Sequence, residues 1–189
     1  MNTFKKAHSK QMIRQEVLSL LKTTPFYKIK IKDLATRLNI SRSTFYSYYE
    51  SIYDVIQEME DEFMADMVSL ECMNLLDSNH VNTAPITTLR TMEYIYNNKE
   101  VFLALTGPNG DASFSIRLEA RLKKGFYDML KKMNCPESRC SLFSEFFSTG
   151  QVACAKYTVS TEDFSDPEVR SQLSLTTHII LFYSIRSLL

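Results

Sequence analysis

Residues 29–50 read Ile-Lys-Ile-Lys-Asp-Leu-Ala-Thr-Arg-Leu-Asn-Ile-Ser-Arg-Ser-Thr-Phe-Tyr-Ser-Tyr-Tyr-Glu, and their spacing predicts two short helices joined by a tight turn. Ile31, Leu34, Ala35 and Leu38 fall at i, i+3, i+4 and i+7, one apolar face of a helix. Asn39 then stands where a helix ends in a left-handed residue, a conformation Asn tolerates better than most, and Ile40 returns the chain to the core. Ser41 is placed to cap the next helix with its hydroxyl. In that second helix only Phe45 and Tyr49, one turn apart, need to face inward. Arg42, Ser43, Thr44, Tyr46 and Tyr48 therefore point outward and offer a guanidinium, hydroxyls and phenols, groups that meet phosphates and base edges.

On these residues the chain resembles the DNA-binding domain of the TetR family of transcriptional regulators. The resemblance rests on Ile29 to Ala35 and Ile40 to Tyr49 and covers about the first third of the chain. Three positions depart from the usual pattern. Lys30 replaces a Thr or Ser, Asn39 replaces a common Gly, and Ile52 replaces a Lys, which removes one phosphate contact that the resemblance would otherwise imply. It implies DNA contacts at Lys30, Arg42, Ser43, Thr44, Tyr46 and Tyr48 and a domain at residues 1–51, with a helical effector-binding and dimerisation domain at residues 52–189. The expected partners are a double-stranded, near-palindromic DNA operator, a second copy in a homodimer, and a small-molecule or protein effector. The expected role is a sequence-specific regulator, taken as a repressor released by a small-molecule ligand. The alternative is a TetR-like co-regulator acting mainly through protein contacts, with weak or conditional DNA binding.

Composition supports an all-α chain. Four Gly and five Pro in 189 residues are few, which favours long helices over sheet. Charges cancel at 22 against 22, yet residues 1–55 hold ten Lys and Arg against four acids. The basic excess thus sits with the helix-turn-helix, as nucleic-acid binding requires. Lys5, Lys6 and Lys10 precede a first helix expected from about Ser9 to Thr23, and read either as a basic arm along phosphates or as a solvated tail.

A long helix is expected from Ile52, with Val55, Ile56, Met59, Phe63, Met67 and Leu70 on one face. It joins the two domains, and its carboxylates, including Glu60 and Asp61, read as solvated. Gly107-Pro-Asn-Gly-Asp holds half of the glycines and reads as a turn with backbone angles that side chains resist. It lacks the Lys-Ser or Lys-Thr of a phosphate loop. Asp111 is read as the cap of the next helix. Tyr96 to Asp111 also resembles the effector-domain signature of a TetR subgroup that includes regulators similar to the dihydroxyacetone-kinase activator.

Phe102, Phe114, Phe126, Tyr127 and Met129 lie on helical faces that suit a ligand pocket or an ordinary core, and the sequence leaves both open. Gly150 inside an apolar helix suggests a close helix crossing. The last helix is apolar on nearly every side and must be covered on nearly every side, so the two final helices, with Phe146, Gly150, Tyr157, Ile179 and Phe182, are read as a dimer surface, with burial inside one subunit as the other option. The four cysteines make no C-x-x-C pair, the expected compartment is the cytoplasm, and Cys135 with Cys140 reads either as free thiols or as a redox pair closed by the turn at Pro136. The three His are scattered, so no metal is expected; no cofactor, catalytic motif or membrane span is expected either.

Overall fold

The computed structural model describes residues 2–72 and 84–186. Among them every regular element is helical: α1 Asn2–Leu21, α2 Ile31–Arg37, α3 Arg42–Tyr46, α4 Ile52–Cys72, α5 Ala84–Asn97, α6 Lys99–Thr106, α7 Ala112–Lys132, α8 Glu137–Ser160 and α9 Pro167–Arg186, with 3-10 turns at Phe26–Lys28 and Glu162–Ser165. The fold is all-α, as the periodicity predicts. The chain divides into two compact units, Met1–Met64 with Glu100–Ser115, and Ala65–Lys99 with Ile116–Leu189.

In the first unit α1 buries Ile13, Val17 and Leu21, α2 buries Leu34 and Ala35, and α3 buries Phe45. Helix α4 closes over them with Ile52, Val55, Ile56, Met59 and Phe63. Phe63 stacks on Phe102 of α6 at 5.7 Å between ring centres and meets Phe114 edge-on at 6.2 Å, so α6 and the start of α7 are core elements of this unit. Such ring pairs add roughly 0.5–1.5 kcal/mol beyond their buried area.

Three expectations are corrected here. Helix α1 begins at Asn2, so Lys5, Lys6 and Lys10 lie on a helix and form no extended arm. Glu60 is 1 % exposed while Asp61 is exposed, because Glu60 falls four residues after Ile56 and three before Phe63, inside the apolar stripe. None of the glycines has a positive φ. Gly110 is required for space instead: a Cβ there would stand 2.5 Å from the carbonyl oxygens of both Ala104 and Leu105.

That packed turn reaches back to α1. Asn109 donates from its side-chain amide to the Leu21 carbonyl at 2.9 Å and accepts the Phe26 N–H on its own carbonyl at 2.9 Å. It thereby satisfies one of the orphan carbonyls at the end of α1 and the amide that opens the next turn. After the turn, Asp111 caps α7 as expected, accepting the Ser113 N–H at 2.9 Å.

In the second unit α5 packs on α8 and α9, and Tyr94 donates to Asp66 at 2.9 Å. Phe126, Leu130, Cys135, Cys140 and Phe147 form a buried cluster against which Tyr127, Met129 and Phe143 pack. Helix α8 inverts the usual burial pattern. Ser144 and Ser148 are fully buried, each hydroxyl donating to its own helix backbone, whereas Phe146 is 67 % and Tyr157 71 % exposed.

Candidate nucleic-acid interface

The turn between α2 and α3 is built as its sequence dictates. Asn39 has φ 52°, and around it the Ile40 N–H reaches the Ala35 carbonyl at 3.0 Å while the Asn39 N–H reaches Thr36 at 3.2 Å. These are the paired 6→1 and 5→2 bonds of a Schellman ending. Ser41 then caps α3, its Oγ accepting the Thr44 N–H at 3.0 Å and lying 2.7 Å from Ser43 Oγ and 2.8 Å from Thr44 Oγ1. The cap therefore also fixes the two hydroxyls at the start of the helix.

Phe45 and Tyr49 anchor α3, at 0 % and 5 % exposure and 6.0 Å between ring centres. Arg42, Ser43 and Tyr46 are exposed, so the inward and outward division read from spacing holds for them and for Phe45 and Tyr49, while Thr44 and Tyr48 are half-buried. Lys30 is exposed at the N-cap of α2, where its side chain makes no capping bond. Replacing it with Thr is expected to stabilise the fold by about 1 kcal/mol through a restored cap and, if Lys30 meets a phosphate, to lower the salt slope of DNA binding by about one. Thermal melts and a salt titration of Lys30→Thr check the two parts separately.

Beyond Tyr49 a capping box starts α4: the Glu50 and Ser51 N–H groups donate to Asp54 Oδ2 at 2.8 and 2.9 Å, and Ser51 Oγ accepts the Asp54 N–H at 3.2 Å. Ile52 follows and is buried at 6 % exposure, so the position where a lysine was expected adds no charge to the surface. Tyr46 to Glu50 and Asp54 line an open depression beside α3, which thus carries two carboxylates and no cation.

Sequence reasoning missed the ion pairs that consume much of the basic excess. Lys10 grips Glu58 at 2.9 and 3.0 Å, Arg14 pairs with Glu62 through both guanidinium nitrogens, one at 2.8 Å, Arg37 meets Glu16 at 3.2 Å and Lys22 meets Glu100 at 3.5 Å. The signal was present: 10 and 14 on α1 match 58 and 62 on α4 in spacing, the i, i+4 pattern of two helices meeting along one face. Lys10 is thus tied to α4, and the Lys5 and Lys6 side chains lie outside the described residues.

These pairs enclose Tyr49. Its hydroxyl is buried against Glu58 without completing a well-formed hydrogen bond, and burial first, then the carboxylate, push its pKa up. The Lys10 ammonium sits 4.9 Å from the centre of its ring. Burial pushes the Glu58 carboxyl up as well, but Lys10 and the Tyr49 hydroxyl outweigh it and hold the group below its ordinary value of 4.5. A depressed folded pKa contributes stability that is present above the unfolded pKa and lost as pH falls through the folded one. The wild-type melting temperature should therefore fall as pH drops below 4.5, and Lys10→Met should flatten that acid limb. An unchanged acid slope in the variant would show that Lys10 does not hold Glu58.

The five aromatic and Met residues read as a pocket or a core divide between the two units. Phe102 stacks on Phe63 and Phe114 meets it edge-on in the first unit. Phe126, Tyr127 and Met129 belong to the cysteine-containing cluster of the second. Among the described residues no group of three or more His, Cys, Asp or Glu is placed to hold a metal, and no helix is long and apolar enough to cross a membrane.

Residues 82–173 match the family model of a transcriptional regulator C-terminal region of TetR type, and the helix-turn-helix precedes them. The match takes in 92 of the 189 residues, just under half of the chain. Over 92 residues the chain is 22 % identical to YxbF, an uncharacterized HTH-type transcriptional regulator of Bacillus subtilis (strain 168), a match that spans 48 % of this chain and 24 % of that protein. In fold it is similar to a transcriptional regulator of the TetR/AcrR family from Aquifex aeolicus VF5, with a TM-score of 0.66 at 18 % identity over 91 % of this chain and 98 % of that one. It is also similar to the dihydroxyacetone kinase operon activator DhaS, with a TM-score of 0.54 at 13 % identity over 95 % and 97 % of the two chains. These relatives are transcriptional regulators, not enzymes.

Proposed function

We propose that this protein is a sequence-specific DNA-binding regulator of the TetR family that engages a near-palindromic operator as a homodimer, acts as a repressor, and is released by a small-molecule ligand. Residues 1–51 carry the DNA contacts, and residues 52–189 dimerise and receive the effector. The observation that carries the reading is the division of α3. Phe45 and Tyr49 are buried, while Arg42, Ser43 and Tyr46 stand outward from a capped helix start, the end that a helix-turn-helix presents to base edges in the major groove. Thr44 joins the readers of sequence, Tyr48 and Lys30 the phosphate contacts.

The dimer reading is supported by the inverted burial of α8, together with exposed Leu173, Leu175, Ile179 and Ile180 on α9. An added Cβ at Gly150 would meet nothing within 4 Å, so the close helix crossing expected there is not made within the described residues. The Phe182 side chain lies outside the described residues. A second reading, a co-regulator with conditional DNA binding, is favoured by the buried Ile52 and by Glu50 and Asp54 beside α3.

Titrating the purified protein against its own upstream DNA and a scrambled duplex, with no partner added, tests both readings. Tight, sequence-dependent binding supports the first. Binding to neither duplex transfers the function to the co-regulator reading. A promoter–reporter fusion that rises when the protein is deleted supports repression; one that falls assigns activation.

A further inference from the structure

The link between α7 and α8 is closed from inside by two thiols. Helix α7 ends in a left-handed residue, Asn134 at φ 59°, with the Cys135 N–H bonded to the Leu130 carbonyl at 3.1 Å. Pro136 is the N-cap of α8. Cys135 therefore occupies the position before the cap and Cys140 the fourth helical position, the two sites that pack together as a hydrophobic staple. Cys135 is 4 % exposed and Cys140 fully buried, in one cluster with Leu130, Phe126 and Phe147. The Cys140 thiol donates to the Cys135 carbonyl at 3.2 Å. Outside the turn, Glu137 accepts from Tyr127 and from Lys131, the latter at 2.7 Å, so the two helix ends are already held together.

We propose that Cys135 and Cys140 are a redox modification site, a dithiol that a hydroperoxide closes to a disulfide across the α7–α8 turn. The Cys140 sulfur already lies 3.2 Å from the Cys135 carbonyl oxygen, and both side chains share one buried cluster, so closing the bond joins neighbours across a single turn. Either sulfur attacks the O–O bond of hydrogen peroxide as a thiolate, becoming a sulfenic acid, while the leaving oxygen departs as water with the thiol's proton. The second sulfur then displaces hydroxide from the sulfenic sulfur; the S–S bond forms, and its proton leaves with that hydroxide as a second water. Two thiols supply two electrons, one peroxide takes them, and a dithiol reductant reverses the change.

Burial selects the oxidant and sets the pace. A hydroperoxide is small enough for a packed site, whereas a bulky disulfide is excluded from it. Burial, and then the Cys135 thiol beside it, push the Cys140 pKa up, which keeps the thiolate scarce and the reaction slow. Cys154 is exposed and reacts sooner, but without a neighbouring thiol in its own turn.

The full-length chain is treated with hydrogen peroxide, denatured, alkylated and digested with trypsin. Cleavage after Arg139 separates the two cysteines. The expected product is the peptide carrying Cys135 linked to the peptide that begins at Cys140, lighter by two hydrogens than the sum of the two and separated again by dithiothreitol. That second peptide also holds Cys154, so Cys154→Ser is run in parallel, with an unchanged thermal midpoint as the check on its fold, and the link should persist. The proposal is overturned if Cys135 and Cys140 stay as fully alkylated as in untreated protein while Cys154 oxidises. It is equally overturned if the link disappears in Cys154→Ser.

Discussion

Phe146→Glu is expected to leave the subunit folded and to convert the proposed dimer to monomer. Phe146 is 67 % exposed in the subunit and shares a face of α8 with Leu142, one turn before it at 65 %, and Tyr157, three turns after it at 71 %. Burying one such side chain contributes about 1.5–3 kcal/mol. A two-fold interface presents the same residue twice, so the substitution removes that contribution from both copies and buries two carboxylates in its place. A loss of about 4 kcal/mol or more raises the dissociation constant at least several-hundredfold. Operator affinity should fall with it by roughly 10²–10⁴, because one recognition helix is left to bind where two had bound. Gly150→Leu is the second test, since an added Cβ finds nothing within 4 Å in the subunit while a partner crossing there is pushed away. Sedimentation at several concentrations measures the mass, and an unchanged thermal midpoint certifies the fold. Dimers that survive both substitutions place the interface on another surface.

Arg42→Ala is expected to lower affinity for the specific operator by about 1–3 kcal/mol, or up to a hundredfold, and to relax preference at one base pair of each half-site. Arg42 is the first residue of α3, exposed beyond the hydroxyl cluster of Ser41, Ser43 and Thr44. Its planar guanidinium suits a bidentate contact to guanine. Binding is measured on specific and scrambled duplexes across a salt series. Equal losses on both would make Arg42 a phosphate contact and leave base reading to Ser43 and Thr44.

What the sequence made legible was local. Asn39 in a left-handed turn, Ser41 as a cap, and Phe45 with Tyr49 facing inward all follow from interactions within four residues along the chain, and all are present. Periodicity also identified the buried face of α4, yet it missed Glu60, because spacing says which face is covered while charge suggested the opposite. The candidate pocket shows where such reasoning stops. Phe102 and Phe126 obey the same helical spacing, but one meets Phe63 and the other Phe147, and spacing within a helix carries no information on which neighbour is met. Long-range polar contacts were the least legible. Lys10 with Glu58 and Asn109 with Leu21 join residues 48 and 88 positions apart, and short polar motifs do not announce such partners.

The hydrogen bonds of Asn109 bear on how such regulators can be recombined. A head is usually imagined as a detachable N-terminal segment, to be exchanged at a single junction between one body and another. Here the Leu21 carbonyl and the Phe26 amide find their partner in the turn after α6, and Phe63 packs on rings at 102 and 114. The compact unit that holds the helix-turn-helix is therefore discontinuous, Met1–Met64 together with Glu100–Ser115. A chimera cut once would separate the two halves of one core, whereas a graft carrying both segments would keep them matched.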